Sequence, residues 1–113
     1  MPVHYFRTIF LEEANEFIAE LDTKAAKKLF YNLDFAEQTN DPRLFKKLRD
    51  EIWEFRVRHG NNQIRLLAFW DKTDNLNTLV VATHGFIKKV DKAPDNEIQR
   101  AINIRKKYFN AKK

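Results

Sequence analysis

Three runs of strand-type alternation between Ile52 and Lys89 constrain this chain more than anything else in it. The first reads Ile52-Trp53-Glu54-Phe55-Arg56-Val57-Arg58 and ends in the polar turn His59-Gly60-Asn61-Asn62. Gln63-Ile64-Arg65-Leu66-Leu67-Ala68-Phe69-Trp70 follows, and a second polar turn leads into Leu79-Val80-Val81-Ala82-Thr83-His84-Gly85-Phe86-Ile87-Lys88-Lys89. Successive side chains of a strand point to opposite faces, so Glu54, Arg56 and Arg58 share one face and Trp53, Phe55 and Val57 the other. The short turns predict an antiparallel meander over 52–58, 63–70 and 78–86, with Arg56 opposite Gln63 to Arg65. A sheet that buries one face and fixes cations on the other is suited to gripping a polyanion.

The rest of the chain supplies helices. Pro2-Val3-His4-Tyr5-Phe6-Arg7 has the aromatic and β-branched character of a short first strand. Phe10, Ala14, Phe17, Ile18 and Leu21 recur at helical spacing, with Glu12, Glu13 and Glu16 in the first turns. Asp22 or Thr23 caps a second helix whose apolar stripe is Ala25, Ala26, Leu29, Phe30 and Leu33, so the two form a tight hairpin. Thr39-Asn40-Asp41-Pro42 breaks the pattern, and the basic segment Arg43-Leu44-Phe45-Lys46-Lys47-Leu48 bridges into the sheet. Pro94 opens a final helix with Asp95 and Glu97 in its first turn and Ile98, Ala101, Ile102, Arg105 and Phe109 on one face. The expected order is β-α-α-β-β-β-α, an α+β fold with helices on one face of a small antiparallel sheet and the other face partly open.

With 113 residues, 43% of them hydrophobic, one domain spanning 1–113 is expected. The absence of cysteine excludes disulfides and thiolate metal sites. The first 25 residues carry Glu12, Glu13, Glu16, Glu20 and Asp22 without a continuous apolar run, so neither a secretory leader nor a membrane span is expected. A soluble, cytoplasmic protein is the expectation. The net charge of +5 is uneven: residues 1–50 hold 8 Lys and Arg against 9 Asp and Glu, residues 51–113 hold 13 against 7. A one-sided basic surface predicts attraction to phosphate backbones or to an acidic partner, although ordinary solubility charge has the same composition.

Several chemistries lack their residues. His4, His59 and His84 stand at no metal-ligand spacing, glycine-rich phosphate loops are missing, and the chain has no serine. No metal and no small-molecule cofactor is expected. What remains is a set of Glu, Arg, His and Lys. Metal-free RNA cleavage needs a base for the 2′-hydroxyl, cations for the phosphorane charge and an acid for the leaving 5′-oxygen. Arginine suits the second task, because its planar fork matches phosphate oxygens. Each candidate also has a plain structural reading. Glu54, Arg56 and Arg65 can be a cross-strand ion-pair ladder contributing a few tenths of a kcal/mol per pair. His84 can be a satisfied half-buried histidine, and Lys88-Lys89 and Arg105-Lys106-Lys107 solvated surface. Trp53, Phe55, Phe69 and Trp70 suit a core, while Trp70 or Phe86 can reach an open face.

Leu48…Ile52-Trp53-Glu54-Phe55-Arg56 followed by Ile64-Arg65-Leu66-Leu67 resembles the strands of the RelE/ParE toxin superfamily. His84-Gly85-Phe86-Ile87-Lys88-Lys89, then Ala93-Pro94 and a helix with Glu97-Ile98 and Ala101, is similar to its HigB-like, phage-derived branch. The resemblance spans nearly the whole chain. It implies the toxin of a type II toxin–antitoxin pair, a metal-independent, ribosome-dependent mRNA endoribonuclease that leaves a 2′,3′-cyclic phosphate. Its implied partners are mRNA on the ribosome and a cognate helix-turn-helix antitoxin. Carried onto this chain, it makes Arg56 and Arg65 the phosphate-facing pair, Lys88 and Lys89 the lysines after the last strand, and Glu54 the acidic position.

The candidate catalytic set is therefore Arg56, Arg65, Glu54, His84 and Lys88, with His84 or Glu54 for proton transfer. Arg58, Lys89, Lys46, Lys47 and Phe86 are the candidate RNA contacts. Where some ribosome-dependent relatives end in a catalytic tyrosine, this chain runs on into a basic helix containing Tyr108. Two alternatives stay open: a ParE-like inhibitor of DNA gyrase without nuclease activity, and a non-catalytic basic binding module.

Overall fold

The computed structural model describes residues 4–73, 78–89 and 94–112. The elements are β1 (Arg7–Phe10), α1 (Glu12–Glu20), α2 (Thr23–Thr39), β2 (Phe45–Lys47), β3 (Trp53–His59), β4 (Asn62–Asp71), β5 (Leu79–Lys88) and α3 (Asp95–Ala111). They build one five-stranded sheet in the order β1-β5-β4-β3-β2. The α+β class and the helix positions are as expected from the sequence, and the β3–β4–β5 meander is antiparallel.

Three details of the sheet differ from expectation. The first strand lies at Arg7–Phe10 rather than over Pro2–Arg7, and Pro2 and Val3 fall outside the described residues. Phe10 therefore belongs to a strand, and α1 starts only after Leu11, at Glu12 and Glu13. β1 pairs with β5 in parallel, from Arg7 opposite Leu79 to Phe10 opposite Ala82, which makes the sheet mixed. The basic bridge contributes a further edge strand, with Phe45 opposite Phe55 and Lys46 opposite Glu54. A three-residue strand leaves little periodic signal, whereas burying Phe45 at 2% exposure against Phe55 stabilises it in place.

The third helix supplies a larger correction, because helices cover both faces of the sheet. α1 and α2 pack Ala14, Ile18, Leu29 and Leu33 against Phe55, Val57, Leu66 and Ala82 on one face. α3 packs Ile98 and Ala101 on Leu67, Phe69 and Val81 of the other. The reason lies in the strands. Leu66-Leu67-Ala68-Phe69 and Val80-Val81-Ala82 are apolar at consecutive positions, so both faces of β4 and β5 need cover. The β3 face bearing Glu54, Arg56 and Arg58 lies beyond the part that α3 covers.

Local chemistry explains the joints. Asp22, rather than Thr23, caps α2 by accepting from the Ala25 amide at 2.9 Å. Asn40 ends that helix in the left-handed conformation, φ 53°. Of the expected α2 stripe, Phe30 turns outward at 48% exposure, edge-on to Phe10, while Ala36 joins the buried side. His59 pairs with Asn62 around a two-residue turn in which Gly60 has φ +61°, the mirror-image geometry that hairpins favour. In β5 the register passes from Leu67–His84 to Ala68–Ala82, so Thr83 is an extra, bulged residue beside His84.

Candidate phosphate-binding groove

Register across β2, β3, β4 and β5 arranges the site as three rungs. Lys46, Glu54, Leu67 and His84 form the first; Arg56, Arg65 and Phe86 the second; Arg58, Gln63 and Lys88 the third. Arg56 and Arg65 stand directly opposite each other. Like charges in that relationship repel, and Glu54 offsets the repulsion. Its Oε1 lies 3.3 Å from Arg65 Nε and its Oε2 lies 3.8 Å from Arg56 Nε.

The two arginines are not equivalent. Arg65 is buried, donating through Nη1 to the Ile64 carbonyl at 3.1 Å and through Nη2 to Gln63 Oε1 at 2.9 Å. Burial pulls its guanidinium below the ordinary arginine range; Glu54 opposes that shift and the Arg56 charge adds to it. Arg56 keeps 36% of its side chain exposed. Both Nε groups are buried without a well-aligned hydrogen bond, as is Glu54 Oε1. Glu54 and Arg65 are buried and Arg56 is partly so, which costs desolvation energy that a surface ladder does not. The pairing is therefore more than the surface ladder that the alternation allows.

Arg56 and Arg65 line a groove of about 410 Å3 together with Lys28, Arg43, Arg58 and Gln63. Its charged lining residues are all cations. Lys28 and Arg43 escaped the sequence reading because they come from α2 and the turn after it, and only docking of the helical hairpin brings them to β3. The available signals were the Lys27-Lys28 pair on a helix whose other side is apolar and the place of Arg43 at the head of the basic bridge.

The remaining candidates separate by place. Lys46 shares the rung of Glu54, whereas Lys47 pairs in register with Trp53 and reaches Glu51 at 3.5 Å. Lys88 stands one strand beyond Gln63, and exposed Lys89 follows the end of β5. Phe86 is 9% exposed beside Arg65 and belongs to the core under α3. His84 is buried too. Its Nε2 is 3.1 Å from Glu97 Oε1 and its Nδ1 3.1 Å from Thr83 Oγ1. Burial lowers its pKa, the Arg100 charge lowers it further, and Glu97 opposes both. Two strand spacings, about 10 Å, separate its rung position from that of Glu54.

Tyr108 lies elsewhere. Its hydroxyl donates to Asp71 Oδ2 at 2.5 Å, and Lys112 Nζ meets the same oxygen at 2.6 Å. Asp71 is six positions along β4 from Arg65, about 20 Å at strand rise. His4, Asp34 and Glu37 bring three possible ligand atoms within 4.8 Å of one another, an acidic surface cluster apart from the groove lining.

The fold is thus an α+β domain with a cation-lined groove beside the Arg56–Glu54–Arg65 group. The chain belongs to the phage-derived Gp49-like family, whose model matches residues 16–106. A chain of the toxin–antitoxin complex RelBE2 from Mycobacterium tuberculosis shares the fold, with a TM-score of 0.52 and 22% identity over 76% of this chain and 100% of that one. A chain of the archaeal RelE–RelB complex from Pyrococcus horikoshii gives a TM-score of 0.49 at 12% identity, over 79% and 99% of the two chains. No curated protein sequence matches the chain.

Proposed function

We propose that this protein is the toxin of a RelBE-like toxin–antitoxin pair and acts on the ribosome as a metal-independent mRNA endoribonuclease. The observation that carries the reading is the Arg56–Arg65 pair, held in register beside Glu54 and lining a groove whose charged residues are all cations. Single-stranded RNA brings a phosphate to that groove. Arg56, the more exposed arginine, presents its fork to the nonbridging oxygens, and Arg65 sets the local field from beneath. The 2′-oxygen attacks phosphorus, its proton passes to a base, and the P–O5′ bond breaks as the leaving oxygen gains a proton. The products are a 2′,3′-cyclic phosphate and a 5′-hydroxyl end.

Of the two base candidates Glu54 is the nearer to the arginine pair, while His84 lies two strands away and is engaged on both ring nitrogens under α3. Lys88, at the far end of the third rung, is the candidate donor to the leaving oxygen. The partner implied is an antitoxin. The test is to induce the chain in cells and map mRNA 5′ ends, with Arg56→Ala as control. New 5′-hydroxyl ends within translated codons, lost in the variant, are expected. Growth arrest with intact mRNA and trapped gyrase–DNA complexes would overturn the nuclease in favour of gyrase poisoning. No arrest and no cleavage would leave a binding module.

A further inference from the structure

A second cleft of about 380 Å3 adjoins the cationic groove, walled by Tyr31 and Phe35 of α2 and by Asn32, Asp41, Arg43 and Leu44. Asn32, Arg43 and Leu44 line both, so the two clefts form one continuous surface. Its ends differ in chemistry. Guanidinium and ammonium groups occupy one end and flat apolar rings the other.

The rings are oriented for use. Tyr31 and Phe35 stand four residues apart on one side of α2, with centroids 6.4 Å apart and planes within 20° of parallel. They remain 69% and 45% exposed, because Leu29, Leu33 and Ala36 already fill the buried face of the helix. Arg43 marks the seam. It donates to Asp41 Oδ2 through Nε at 3.1 Å and Nη2 at 2.8 Å, yet 88% of its side chain is exposed. That clamp fixes a planar cation with a face open to water.

Exposed rings and a clamped guanidinium next to a phosphate-gripping groove are what a single-stranded nucleic acid uses. Cations track its backbone, while aromatic rings and arginine planes stack its bases. Each nucleotide supplies an anion and a flat π face together. A protein partner has to present acidic and apolar side chains separately, in matching register.

We propose that Tyr31, Phe35 and Arg43 form a base-stacking subsite for a nucleotide flanking the phosphate held by Arg56 and Arg65, in single-stranded RNA. The subsite rests on the phosphate-gripping reading of the groove. Stacking tolerates any base, while Asn32 and Arg43 at the seam carry groups able to hydrogen-bond a base edge.

The test uses the purified full chain and a fluorescent 2′-O-methyl oligoribonucleotide, which has no free 2′-hydroxyl nucleophile, at about 50 mM salt. A probe of equal length built from abasic sugars serves as its partner. Tyr31→Ala is expected to weaken binding of the base-bearing probe roughly tenfold and to leave the abasic probe unchanged. Tyr31→Phe should restore wild-type binding, and neither variant should change the slope of log K against log salt. Arg56→Ala should weaken both probes and lower that slope by about one. Equal affinity of wild type and Tyr31→Ala for the base-bearing probe overturns the subsite and leaves the phosphate grip standing. Indifference of both probes to Arg56→Ala overturns the grip and the subsite with it. If Tyr31→Ala spares RNA binding but weakens the antitoxin complex, the strip is a protein-docking face and the proposal is wrong.

Discussion

Glu54 and Arg65 are equally buried, at 5% side-chain exposure each, and meet at 3.3 Å across β3 and β4. Removing Arg65 leaves buried Glu54 only the half-exposed Arg56, at 3.8 Å, and removing Glu54 leaves buried Arg65 facing a like charge. Arg65→Ala is therefore expected to cost about 3–5 kcal/mol of stability, far more than a surface pair would. Replacing both residues by apolar ones of similar volume should cost less than the sum of the single changes. Urea midpoints at constant m-value check this. A loss under about 1 kcal/mol for Arg65→Ala would return the pair to the status of a surface ladder.

Arg56 separates activity from stability. It is 36% exposed and 3.8 Å from Glu54, so its removal leaves Arg65 to neutralise the carboxylate. Arg56→Ala should change stability by about 1 kcal/mol or less. RNA cleavage in a purified translation system should fall about 100- to 1000-fold, the usual cost of one charge-stabilising donor. Arg56→Lys should recover only part of the rate, because a point charge cannot reproduce the planar fork. A fully active Arg56→Ala protein would remove the guanidinium from the chemistry.

The central hairpin was legible in the sequence because alternation is a direct image of strand geometry. The register Arg56–Arg65 follows from the short turn at Gly60, and the cation-bearing face of β3 from the spacing of Glu54, Arg56 and Arg58. The parallel β1–β5 pair was hidden, since it joins residues some seventy positions apart and Arg7–Phe10 has too few residues to announce it. The side taken by α3 was written in Leu66-Leu67 and Val80-Val81, whose doubled apolar positions show that both faces are covered. Lys28 and Arg43 reach the groove through tertiary packing alone. No spacing rule links them to Arg56.

Asp71 ties the end of α3 to the sheet. Burial works to raise its pKa, but hydrogen bonds from Lys112, Tyr108 and Thr73 outweigh that and hold it well below the usual carboxylate range. In acid the unfolded chain therefore binds a proton that the folded chain does not. The stabilisation is fully present above the unfolded carboxylate value, about 3.9, and is lost as pH falls towards the folded value. Asp71→Asn should flatten the fall of the urea midpoint between about pH 5 and pH 2. It should also cost about 1.5–3 kcal/mol at pH 7, where the charged acceptor shared by Lys112, Tyr108 and Thr73 is neutralised. An unchanged acid profile would show that Asp71 does not control it.

His84 lies in the linkage Thr83–His84–Glu97–Arg100–Glu13, which joins β5, α3 and α1. Its pKa is depressed, chiefly by burial and next by Arg100, with Glu97 and Glu13 acting in the opposite direction. A depressed folded value means that the unfolded chain takes up this proton first. The contribution is complete above the unfolded value, about 6.5, and declines as pH falls through and below it. His84→Gln, which can still donate to Glu97, should reduce the slope of stability against pH between about 7 and 5. Cleavage should stay within about threefold of wild type, because proton transfer from this buried ring would have to cross the Leu67 rung position. A rate loss of about 100-fold or more with normal stability would give the proton-transfer role to His84 instead of Glu54.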